Sequence, residues 1–213
     1  SGNFTLIGFS LNYLSQALCA FAMIGFCRRI DPAASIVIGG SLVTSWMSNP
    51  AWKDPFGGLV DELVAGPGED WLIARLGAMA GKRSPHGHSR PWYDSSLGKS
   101  YFSPGFVAPY SASRGCFWKK CSFCPEKAED NPYLPLGEKE VLKDVDYFID
   151  AHDPALVHFC DNAMSPRLLA ALAGSPRPVP WYGFTRITDS FLEPDFCAAL
   201  RRSGCVIDRK SVG

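Results

Sequence analysis

Residues 106–126 read FVAPYSASRGCFWKKCSFCPE. An apolar, aromatic run gives way to a polar turn and then to three cysteines, Cys116, Cys121 and Cys124, crowded onto one short loop. Residues 106–111 have the Phe, Val and Tyr content of a strand, so the cysteines sit on a loop that leaves a strand end. The same rhythm then repeats. A helix is predicted over 138–151, a strand over 155–160, a helix over 166–173, a strand over 179–187, a helix over 193–203 and the start of another strand over 205–207. Strands that alternate with helices build a parallel sheet covered on its faces.

Upstream, residues 4–10 read as a strand, 13–30 as a helix and 35–38 as a strand that ends in Gly39-Gly40. A loop rich in Trp, Ser, Asn and Pro is expected over 41–58, followed by an apolar segment over 59–65. A turn at Gly66-Pro67-Gly68 then leads into a helix over 69–79. The fold class is therefore α/β, opening with a partial Rossmann-like parallel sheet over 1–80. The polar stretch 81–105, with its Gly, Pro, Ser and His86-Gly87-His88, reads as a linker, and His86 and His88 as solvated loop histidines. A second βα series occupies 106–213. No internal repeat and no low-complexity tract interrupts it.

Composition excludes several classes of function. The chain has 213 residues, 46% hydrophobic and 20% charged, enough apolar content for a sizeable core and too much for a disordered protein. Lys plus Arg (21) equals Asp plus Glu (21), which disfavours a polyanion-binding protein and nucleic acid as a partner. The 17 prolines and 20 glycines follow no Gly-X-Y period and fit a loop-rich enzyme. Eight cysteines stay well below the ~8% of a disulfide-stapled scaffold. Five of them are dispersed in apolar or helical surroundings and three are clustered, which points to a reducing, cytoplasmic setting with one thiolate site. The longest apolar run, 17–27, has 11 residues, short of the ~20 of a membrane helix, and is expected to be a buried helix. No signal peptide is read at the start, and the chain is expected to be a piece of something longer.

Three thiolates on one short loop can hold three irons of a 4Fe-4S cluster and leave the fourth iron open to a small molecule. Arg114, Lys119 and Lys120 would offset the cluster's negative charge and favour the thiolates. The competing reading is a structural zinc site, with a fourth ligand drawn from His158, Cys160 or the His86/His88 pair. Three unliganded thiols are the remaining alternative.

The loop resembles that of the radical S-adenosylmethionine (radical SAM) enzymes, in particular the branch with an N-terminal cobalamin-binding-like domain. That family spaces its ligands as Cys, three residues, Cys, two residues, Cys, with an aromatic just before the last ligand. Phe123 matches the aromatic, and Ser113-Arg114-Gly115-Cys116 matches the lead-in. The departure is four residues, 117–120, where three are usual. The resemblance implies a partial (half) βα barrel over 106–213. It also implies a 4Fe-4S cluster on Cys116, Cys121 and Cys124, and SAM bound at the open iron and cleaved reductively to a 5′-deoxyadenosyl radical. It further places Asp161 and Asn162, at a strand end, and Arg186, after the next strand, against SAM. A turn-forming Asp-Asn pair and a surface ion pair are the plainer readings of these residues.

Family barrels carry about six βα units, and this chain supplies three and the start of a fourth. Half of the SAM and substrate pocket is expected to be missing, which puts the catalytic competence of the piece in question. Exposed strand edges favour self-association. Gly39-Gly40 and Gly66-Pro67-Gly68-Glu69 resemble loops that face the nucleotide tail of cobalamin. The lower-ligand motif Asp-x-His-x-x-Gly is absent from the sequence, so cobalamin is an expectation for the full-length parent and is not supported here. An electron donor and an unidentified small-molecule or macromolecular substrate are the implied partners. An RNA-modifying member of the family is disfavoured by the balanced charge.

Overall fold

The alternation of strand and helix patterns is realised as parallel sheets. A computed structural model describes residues 4–76, 88–94, 102–128 and 131–210. The chain divides into two units, Ser1–Pro85 and His86–Gly213.

The first unit runs β1 (Leu6–Ser10), α1 (Leu14–Ile30), β2 (Ser35–Gly39), α2 (Ser41–Met47), β3 (Glu62–Leu63) and α3 (Glu69–Leu76). Its sheet is parallel with the order β1-β2-β3, Leu6 pairing with Ser35 and Val37 with Glu62. The central strand buries Ile36, Val37 and Ile38 in succession, as a parallel strand covered on both faces must. Two expectations change. The stretch 41–58 contains α2, because Gly40 adopts a φ of 104° and turns the chain sharply into a helix; a Cβ there would strike the backbone of Leu11. The apolar run 17–27 is not wholly buried. Only Ala17, Ala20 and Ile24 of α1 are inside, while Leu18 is 81% and Met23 57% exposed, since the helix is apolar all round but packs through one side.

The second unit runs β4 (Val107–Tyr110), β5 (Ser113–Arg114), α4 (Pro125–Ala128), β6 (Leu134–Pro135), α5 (Glu138–His152), β7 (Leu156–Met164), α6 (Pro166–Ala173), β8 (Trp181–Thr185), a 3-10 turn (Asp189–Leu192), α7 (Pro194–Arg202) and β9 (Cys205–Lys210). Its main sheet is parallel with strands in the order β4-β7-β8-β9, the successive order of an opened βα barrel. β5 and β6 form a separate antiparallel pair. Helix positions follow local signals. Ser165 caps α6 by accepting from the Leu168 amide at 3.2 Å, and Pro166 occupies the first turn, where its missing N–H costs nothing. The core lies between the sheet and its helices around Tyr110, Phe148, Phe159 and Leu169. Gly183 lets β8 approach β7 closely, since a Cβ there would lie 2.5 Å from the Met164 sulfur.

Residues 88–94, read in the sequence as part of a linker, belong to this core. Tyr93 is 8% exposed, packs edge-on against Phe106, and donates its hydroxyl to the Pro109 carbonyl. His88 is not a solvated loop histidine: its Nε2 bonds the carboxylate of Asp144, which is buried on α5. Asp144 also accepts from Arg90 Nε at 2.7 Å and from the Tyr110 hydroxyl at 2.8 Å. His86 lies outside the described residues.

Burial pushes the Asp144 carboxyl up, but the bonds from Arg90, His88 and Tyr110 outweigh it and hold the group below the usual carboxylate range. A depressed folded value means that its stabilising contribution is complete above the unfolded value of ~3.9 and is lost as the pH falls through the folded one. The second unit is therefore expected to weaken from pH ~4 downward. Unfolding midpoints across that range should fall less steeply in Asp144→Asn than in the wild type. Equal slopes would show that these bonds do not set the acid response.

Candidate functional site

The three cysteines lie on the loop between β5 and α4, which β4 delivers at the C-terminal end of the sheet. Cys116, Cys121 and Cys124 are each half-buried and form no disulfide. Pairing of Ser113 with Pro135 and Arg114 with Leu134 closes the stem of the loop. Gly115 turns the chain at φ 71°, where a Cβ would run into the Pro132 carbonyl. Gly115→Ala is expected to cost about 2 kcal/mol or more, seen as a lowered denaturant midpoint; a change below about 0.5 kcal/mol would show that the loop can reroute. Lys119, in the four-residue gap between the first two cysteines, takes a φ of 49°, so a left-handed kink falls inside that gap.

The residues nominated from sequence gather around this loop. Strand alternation divides the neighbours Asp161 and Asn162 between the two faces of β7. Asp161, 2% exposed, faces the helices and accepts from the Ala112 amide at 3.0 Å and the Ser113 hydroxyl at 2.5 Å. Burial pushes its carboxyl above the usual range, against those hydrogen bonds. Asn162 is exposed on the other face, where its Nδ2 donates to Glu126 Oε1 at 2.8 Å and lies 3.5 Å from the Gly115 carbonyl. Arg186 follows β8, and its guanidinium sits 3.7 Å from the centre of the Trp118 ring, which Lys120 also contacts at 4.6 Å. Phe123 is 77% exposed.

His158 and Cys160, weighed from sequence as a fourth metal ligand, share this face of β7 with Asn162. His158 stacks on Tyr182 at 4.2 Å and an interplanar angle of 9°. Its Nδ1 lies 3.8 Å from the Cys160 sulfur. Burial lowers the pKa of His158 and raises that of Cys160, so both are held toward their neutral forms. Three buried polar atoms have no hydrogen-bond partner among the described residues: Glu126 Oε2, His158 Nε2 and Arg186 Nη1. An orphaned polar atom is costly unless something else satisfies it, so these atoms fit a polar ligand on this face. Glu126 had a sequence signal in its place directly after Cys124-Pro125, in the first turn of α4. His158 had its even spacing with Cys160 and Asn162 along a strand.

Among the described residues, no three His, Cys, Asp or Glu side chains are close enough together to hold a metal ion. The fit to a metal group therefore rests on the donor set, three thiols on one tethered loop with cations beside it, and on the orphaned atoms. In the first unit, a cavity of about 540 Å³ opens at the C-terminal ends of the strands. Gly8, Gly39, Gly40, Gly66 and Gly68 line it together with Trp71, so the structure brings together the two glycine loops marked in the sequence.

No family model matches the chain, and no curated protein matches it in sequence. Among solved structures it is similar to apo, selenomethionine-labelled OxsB, a cobalamin-dependent S-adenosylmethionine radical enzyme. The TM-score is 0.56 at 17% identity, over 93% of this chain and 33% of that one. The two share a fold. That likeness extends through both units, the parallel sheet of the first and the opened βα barrel of the second, and the chain spans about a third of OxsB. No helix among the described residues is long and apolar enough to cross a membrane.

Proposed function

We propose that this chain is part of an iron-sulfur radical SAM enzyme, with Cys116, Cys121 and Cys124 as the three protein ligands of a 4Fe-4S cluster. The observation that carries the reading is the position of the cysteine loop. It leaves the first strand of an opened βα barrel, at the strand ends where such folds place their chemistry. The fold likeness to OxsB supports it. When bound, the cluster would supply one electron to SAM and so generate a 5′-deoxyadenosyl radical.

The chain's own residues would bind and orient. Arg186, with Nη1 unsatisfied, suits the carboxylate of SAM, and its stacking on Trp118 fixes the guanidinium beside the loop. Asn162 presents its amide on the same face of β7 as His158, and Phe123 offers an apolar ring next to the last ligand. Asp161 contributes from behind the strand, through the loop. The glycine-lined cavity of the first unit suits a flat ligand close to backbone, and cobalamin belongs to this proposal only for a longer parent. A reducing, cytoplasmic setting and an electron donor complete the reading.

Metal analysis after anaerobic reconstitution tests it. About four irons and four sulfides per chain are expected. One zinc per chain with no sulfide would favour a structural module without SAM turnover.

A further inference from the structure

We infer that Asp161 and Asn162 form a two-sided clamp that positions the cysteine loop for its ligand, an inference that rests on the cluster reading above. The two residues are neighbours on β7 yet grip the loop from opposite faces of the sheet. On the helix-covered face, both oxygens of Asp161 are engaged, by the Ala112 amide and the Ser113 hydroxyl, just ahead of Cys116. On the open face, Asn162 reaches the Gly115 carbonyl, immediately before Cys116, and the Glu126 carboxylate, two residues after Cys124.

One point on one strand thus ties down both ends of the ligand-bearing span. β7 is the best place for such a tie, since it pairs with β4 on one side and β8 on the other. A loop with fixed ends loses less freedom when three of its side chains converge on one object. Asp161 is therefore a positioning residue: a carboxylate with both oxygens taken by the loop acts on a ligand through the cysteines. Asn162 acts in the same way through Glu126 and Gly115.

The test compares Asp161→Ala, Asp161→Asn and Asn162→Ala with the wild-type chain. The Asn variant keeps an oxygen to accept from Ala112 and an amide to donate to Ser113, so it should rescue what Ala loses. In metal-free protein, amide exchange over residues 111–124 should rise about tenfold or more in Asp161→Ala, stay near wild type in Asp161→Asn, and be unchanged over α5 and α6 in both. In anaerobically reconstituted protein, a chelator should strip iron about tenfold faster from Asp161→Ala and Asn162→Ala than from wild type or Asp161→Asn. Exchange that does not change in Asp161→Ala overturns the clamp, whatever the iron does. Faster exchange with unaltered iron release overturns its role in positioning the ligands. Wild-type protein that takes up no iron brings down the cluster reading and this role together, and the exchange arm separates that failure from a failure of the clamp. If Asp161→Ala does not fold, Asn162→Ala, altered on an exposed side chain, carries both arms.

Discussion

Asp144→Ala is expected to lower the stability of the second unit by about 3–5 kcal/mol, the scale for removing one partner of a buried, hydrogen-bonded ionic group. Asp144 gathers His88 and Arg90 from the segment ahead of β4, and the Tyr110 hydroxyl from β4 itself, onto one carboxylate of α5. Truncation removes the shared partner of all three donors; Arg90 is exposed and can turn to water, but Tyr110, 1% exposed, is left with its hydroxyl buried and unpaired. It also releases residues 88–94, whose Tyr93 ring packs against Phe148 at 5.2 Å. Chemical denaturation of the purified chain measures the loss. A change below about 1 kcal/mol would show that the segment is held by Tyr93, through its ring packing and its bond to the Pro109 carbonyl, and not by Asp144.

Cys121→Ala should reduce iron after anaerobic reconstitution from about four per chain to less than about a tenth of that, because two remaining thiolates cannot hold the cube by three corners. The fold should tolerate the change. Cys121 is half-buried on a loop and belongs to neither apolar core, so the unfolding midpoint should stay within about 0.5 kcal/mol of wild type. Iron content equal to wild type would remove Cys121 from the ligand set and with it the three-point site.

Much of this architecture was legible in the sequence because periodicity reports burial. The predicted strand over 155–160 and helix over 166–173 correspond to β7 and α6, since alternation and a Ser-Pro start are local signals. Features that depend on distant partners were not legible. Residues 88–94 look like a linker by composition, and only Asp144, 56 positions after His88, makes them part of a core. The β5–β6 stem is two residues long on each side, too short to carry any period. Asp161 and Asn162 were marked as a pair because they share a strand end. Which of them faces the helices depends on the register of β7 against its neighbours, and that register exists only in the folded sheet. The cysteine loop is the opposite case: three thiols in nine positions mark a candidate site without any knowledge of packing.

The most direct measurement is the electron paramagnetic resonance spectrum of the reduced, anaerobically reconstituted chain before and after addition of SAM. A cluster held by Cys116, Cys121 and Cys124 alone leaves an iron for SAM to bind, so the account predicts a cluster signal whose shape and g-values shift when SAM is added. A chain without any cluster signal, or a signal that SAM leaves unchanged, would contradict it.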